Sequence, residues 1–165
     1  MPVTSCQIVT SGVGAMRYFH WDGAVWQLDT VDTDCGYPFG LGYDGDGAPM
    51  VAYLASGDLK LARHEAGRWT TELIRQGSFL HGFAFAADAD GRPGLTYWDD
   101  LLALYSYHDG AAWQTELLFD ATSVAAGTAL GYDHDSNPGC VRAASYNRGA
   151  SMSSRASLQV FVFAA

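Results

Sequence analysis

Three pairs of aspartates recur in matched turns: Asp44 and Asp46, Asp88 and Asp90, and Asp133 and Asp135. Turn chemistry is the first reading, because an aspartate side chain accepts the local backbone N–H groups and a following glycine takes positive φ. Divalent metal is the alternative, but calcium wants six to eight oxygens, and two carboxylates with a few carbonyls make a weak site. His20, His64 and His108 also recur, one per repeat. On separate repeats they read as structural or rim residues, since a shared metal would need them to converge. No Gly-x-Ser-x-Gly, phosphate loop or paired metal-ligand spacing is present, so no cofactor is expected.

The non-repeating polar and aromatic residues are more informative. Tyr37, His81, Trp98, Asp99, Asp100 and Asp34 all fall in or beside connecting loops. So do Cys35, Ser78, Phe79, Leu80, Tyr146, Asn147 and Arg148. Aromatic faces combined with carboxylates suit sugar hydroxyls or a cationic ligand. On this reading Trp98→Ala abolishes binding with the melting temperature nearly unchanged. Asp99 or Asp34 with His81 also makes an imaginable acid/base pair, but glycosidases need two carboxylates at set separations.

What must position these residues is a repeat of about 44 residues. Gly42-Tyr43-Asp44-Gly45-Asp46-Gly47-Ala48-Pro49 returns as Ala87-Asp88-Ala89-Asp90-Gly91-Arg92-Pro93, and again as Tyr132-Asp133-His134-Asp135-Ser136-Asn137-Pro138. Each histidine is followed by a tryptophan: Trp26, Trp69 and Trp113. These indoles are expected to pack between neighbouring sheets, with sugar stacking as the alternative.

Helical periodicity is nearly absent, and strand-length runs bounded by Gly, Asp, Asn or Pro take its place. One unit reads as strands 39–43, 49–54, 59–64 and 69–74, and the next as 82–86, 94–98, 102–108 and 113–118. Short turns joining four antiparallel strands make a propeller blade. The expected fold is therefore all-β and β-propeller-like, with three to four blades in one domain, 1–165. Blade fragments occupy 1–32, full blades 38–75 and 82–119, and a partial blade 127–165. The N-terminal outer strands are expected to complete the blade that the C-terminal inner strands begin, leaving no open edge. An open half-ring would instead self-associate, so a homodimer is the alternative.

Charge narrows the partners. Asp and Glu number 18 against 9 Lys and Arg, for a formal net charge of −9, and Lys60 is the only lysine. Nucleic acid and anionic membrane surfaces are disfavoured, whereas neutral sugars and cations are not. Hydrophobic residues at 48% and charged residues at 16% mark a globular chain. Cys6, Cys35 and Cys140 have no metal-type spacing and read as free thiols. The first residues lack a basic and apolar leader, so a cytoplasmic location is expected, with a secreted mature form as the alternative.

The order Asp-x-Asp-Gly-x-Pro, apolar run, Tyr, Leu-x-x-Ala, His-x-x-Gly-x-Trp resembles the blade repeat of bacterial β-propellers of the sialidase-like or Asp-box-like kind, over roughly residues 16–140. The sialidase order Ser-x-Asp-x-Gly-x-Thr-Trp and an arginine triad are missing, so sialidase activity does not carry over. The turns also resemble calcium loops of integrin-type blades, but Gly94 stands where a further acid is expected. The expected function is a non-catalytic binding module for a carbohydrate or a small neutral or cationic molecule. A protein–protein scaffold and a degenerate glycosidase are the alternatives.

Overall fold

A computed structural model describes residues 3–8, 14–34, 36–77, 80–120, 127–145 and 156–162. Cys35, Ser78, Phe79, Tyr146, Asn147 and Arg148 lie outside the described residues. The chain gathers into two compact units, Met1–Ser78 and Phe79–Ala165.

The first unit holds β1 (Val3–Ile8), β2 (Gly14–Trp21), β3 (Trp26–Asp32), β4 (Tyr37–Tyr43), β5 (Pro49–Ala55), β6 (Asp58–Glu65) and β7 (Arg68–Arg75). The second holds β8 (Leu80–Ala87), β9 (Pro93–Asp99), β10 (Leu102–His108), β11 (Trp113–Asp120), β12 (Gly127–Tyr132), β13 (Pro138–Ser145) and β14 (Ala156–Val162). Strands 4 to 7 and 8 to 11 form four-stranded sheets in chain order, and every pairing is antiparallel. The turn residues that bounded the apolar runs are where the strands end.

The ends of the chain pair differently from the expectation. β1 runs along β2, and β14 runs along β13, so each terminal sheet has three strands from its own end of the chain. A strand-forming segment close in sequence covers an open edge at less loop-closure cost than a remote one.

β5 and β6 are the inner strands of one four-stranded sheet and β9 and β10 of the other; β5 and β9 are the more deeply buried, which is why they read as nearly continuous apolar runs. Met50, Val51, Ala52 and Tyr53 are fully buried on both faces of β5. In the first unit Met16, Tyr18 and Val31 meet Val51, Tyr53, Ala55 and Ala62, with Trp69 packed alongside. Trp69 crosses Tyr18 edge-on at 5.3 Å, the inter-sheet role expected of the repeated indoles. Trp26 is instead half exposed against Trp21. His64 and His108 pack on the tryptophans across the strand, Trp69 and Trp113, at 5.3 and 5.6 Å. His20 stacks on Tyr18.

The acidic turns are built alike. One carboxylate oxygen of Asp44 accepts the amides of Asp46 and Ala48 at 3.0 and 2.8 Å. Asp88 does the same for Asp90 and Arg92, and Asp133 for Asp135 and Asn137. The first aspartate of each turn is thus a backbone acceptor.

A second repeated turn precedes the tryptophans. Asp22 accepts the amides of Ala24 and Val25 and the side-chain amide of Gln27, and Asp109 does likewise with Ala111, Ala112 and Gln114. The Val25 amide above all, then Gln27 and Ala24, hold the Asp22 carboxyl down at about 2. Asp109 is lowered by the amides of Ala112 and Ala111 and by Gln114, and Asp133 by the side chain and then the amide of Asn137. A carboxylate lowered on folding adds stability above its ordinary pKa and loses it as pH falls through the lowered one. The melting temperature is therefore expected to be flat above about pH 5 and to fall toward pH 2. Asp22→Asn, which keeps an acceptor but does not titrate, is expected to shallow that fall. A fall of unchanged steepness in a series of thermal melts would refute the assignment.

Candidate functional site

The second unit contains a cavity of about 370 Å³ between its two sheets. Tyr105 and Tyr107 alternate along β10 and so share one face of it. Their rings stack at 5.2 Å and 21°. Glu116 lies across the strand from Tyr105 on β11, and the Tyr107 hydroxyl donates to it at 3.3 Å. From the facing sheet Tyr132, at the end of β12, brings its hydroxyl within 2.8 Å of that of Tyr105. Arg92 closes the rim from the β8–β9 turn, held by Asp88 at 2.8 Å and Asp90 at 2.7 Å.

The two sheets are tied beside this cavity. The Ala89 amide donates to the Ser136 hydroxyl at 3.2 Å, joining two of the acidic turns. The Thr128 hydroxyl donates to the Gly82 carbonyl. Burial raises the phenols of Tyr105 and Tyr132, and burial together with Glu116 raises that of Tyr107. All three are therefore neutral hydroxyls at ordinary pH, able to donate and to accept. The site offers ring faces, hydroxyls and a carboxylate, the equipment for orienting a small polar molecule.

The residues expected from the sequence lie elsewhere. Asp34 and Tyr37 belong to the first unit. Asp34 accepts from the Ser56 hydroxyl at 3.1 Å and lies 3.7 Å from the Lys60 ammonium, and Tyr37 is 80% exposed at the start of β4. His81, Trp98, Asp99 and Asp100 belong to the second unit. Tyr37 and His81 are equivalent as expected, paired across the strand with Leu54 and Trp98. Asp100 takes positive φ in the β9–β10 turn, and Asp99 pairs with Leu102 beside it.

Trp98 is a correction: its indole is fully buried against Ala103 and Leu118, where no ligand can stack. His81 lies parallel to it at 6.3 Å. A bulge in β8 makes this packing possible. Gly82 there has φ +64°, and a Cβ on it would stand 2.6 Å from the indole.

The cavity residues carried a signal that the turns and histidines obscured. Each repeated tryptophan is followed three residues later by an acid, as Asp29, Glu72 and Glu116. Each acid faces a different partner on the preceding strand. Asp29 lies 3.7 Å from His20, Glu72 pairs with Arg63 at 3.0 Å, and Glu116 receives Tyr107. Arg63 and Tyr107 occupy the same place in successive repeats, each one residue before the repeated histidine.

Sheets of this kind, repeated along the chain, define an all-β, β-propeller-like protein built from antiparallel blades. Among the solved structures similar to it are these two. One is a mutant of AofleA from Arthrobotrys oligospora in which three arginines are alanine. It matches with a TM-score of 0.58 at 14% identity, over 97% of this chain and 50% of that one. This chain thus spans about half the length of that protein. The other is a fucose lectin from Kordia zhangzhouensis in complex with methyl-fucoside, with a TM-score of 0.47 at 14% identity, over 76% of this chain and 96% of that one. No protein-family model and no curated protein sequence matches the chain.

Proposed function

We propose that the protein is a non-catalytic carbohydrate-binding module whose saccharide sits in the cavity of the second unit. The observation that carries this reading is the combination of stacked Tyr105 and Tyr107 with the Glu116 carboxylate in one cavity of about 370 Å³. A sugar ring presents an apolar C–H face and a rim of hydroxyls. Tyrosine rings pack against the first, while Glu116, Tyr107 and Tyr132 accept from or donate to the second. The volume falls in the range of small-molecule sites and suits one or two sugar rings. The acidic surface does not oppose a neutral polar ligand.

The test is a glycan array followed by isothermal titration with the best monosaccharide. Tyr107→Ala removes a ring face and a hydroxyl from a half-buried position and leaves the fully buried side chains of β9 in place. It is expected to weaken binding at least about tenfold, or about 1.4 kcal/mol, with little change in melting temperature. Array signals at background, or a Tyr107→Ala protein that binds as well as its parent, would end this reading.

A further inference from the structure

We infer that the saccharide of this cavity carries a positive charge, an amino sugar rather than a neutral or acidic one, and that Glu116 selects it. This deepens the carbohydrate reading and rests on it. Three carboxylates line the cavity, those of Asp88, Asp109 and Glu116, against the single guanidinium of Arg92. They are not equivalent. Asp88 is occupied by the amides of Asp90 and Arg92 on one oxygen and by the Arg92 side chain on the other. Asp109 is occupied by the amides of Ala111 and Ala112 and by Gln114. Among the described residues Glu116 accepts only from the Tyr107 hydroxyl, at a long 3.3 Å, and has no ion-pair partner.

The preceding repeat shows what is missing. There the same acid, Glu72, is neutralised by Arg63 at 3.0 Å. In the second unit a tyrosine stands where that arginine would be, so the charge of Glu116 remains open toward the cavity. The replacement supplies a second attraction for a cation, because a stacked phenol presents a negative ring face. A carboxylate and ring faces around one space are the chemistry that recognises a primary ammonium. An acidic sugar would meet the repulsion of all three carboxylates, with the one guanidinium already held by Asp88 and Asp90.

Isothermal titration with D-glucosamine, N-acetyl-D-glucosamine and D-glucuronic acid tests this at neutral pH. The first two share a ring and differ in the charge on nitrogen. Glucosamine is expected to bind about fivefold more tightly than its acetylated form, as befits a solvent-reached ion pair, and glucuronic acid most weakly. The preference should vanish near 1 M salt, where the screening length is about 3 Å. Glu116→Gln should bring the ratio of the two affinities to about one. Tyr107→Arg, which rebuilds the Arg63–Glu72 arrangement, should do the same by a second route. Equal affinity of the parent protein for the charged and acetylated sugars overturns the inference alone, as does a preference that survives Glu116→Gln. If none of these three sugars binds while a neutral sugar from the array does, the inference falls alone; if the array too stays at background, the carbohydrate reading falls and the inference falls with it.

Discussion

Trp98→Ala is expected to lose about 3–5 kcal/mol of stability, enough to unfold much of the second unit at ordinary temperature. The indole is the largest fully buried side chain among the described residues. It fills the end of the unit where Ala103 lies directly across the strand and Leu118 packs from β11. Alanine there leaves a void that the surrounding strands cannot close, because their positions are set by ladder hydrogen bonds on both sides of β9. Gly82, in close approach to the indole, has no side chain to move into the space. Trp98→Phe keeps an aromatic ring and should cost distinctly less. Denaturant titration with thermal melting measures both. A Trp98→Ala protein that melts like its parent but binds no sugar would return the indole to a ligand site, as the sequence alone had implied.

Gly94→Ala should separate binding from folding in the opposite sense. Gly94 sits in β9 between Ala86 and Tyr107, with ordinary strand backbone, so alanine meets no conformational penalty there. The obstacle is steric. A Cβ at this position overlaps the Tyr132 hydroxyl and lies 3.2 Å from the ring of Tyr105. Tyr132 must leave, breaking its hydrogen bond to Tyr105 and pushing the facing wall out of the cavity. Overpacking of this kind costs about 1–3 kcal/mol, partly offset by the stiffer unfolded chain. The protein should stay folded while saccharide affinity drops about tenfold or more. Tyr132→Phe in the Gly94→Ala background removes the clashing oxygen and is expected to restore part of the affinity. Full binding by Gly94→Ala alone would show that the Tyr105–Tyr132 contact does not shape the site.

The strands were legible because their signals are local. Apolar runs ended by Asp-Gly, Ala-Gly or Ser-Gly turns place strand ends within two residues, and the 44-residue period repeats the message. The acidic turns were legible for the same reason: Asp44, Asp88 and Asp133 each bond amides two and four residues onward, within the reach of their own segment. The cavity was less legible. The acid following each tryptophan could be counted along the chain, but its meaning depends on what faces it. Arg63 before Glu72 and Tyr107 before Glu116 look like ordinary variation until the strands are paired. Trp98 illustrates the converse error. In sequence it ends an apolar run beside two aspartates and looks like a loop aromatic.

The sequence by itself determined the all-β class, the repeating blades, the turn chemistry and the net negative charge. These follow from side-chain alternation, turn residues and charge, which act over a few residues or over the whole chain at once. The tertiary structure alone decided that Trp98 is core, that β1 and β14 cover the edges beside them, and that Tyr105, Tyr107, Glu116 and Tyr132 enclose one space. Those outcomes turn on which face of one sheet meets which face of another. Side chains 27 residues apart, such as Tyr105 and Tyr132, share a hydrogen bond only once two separately formed sheets have packed.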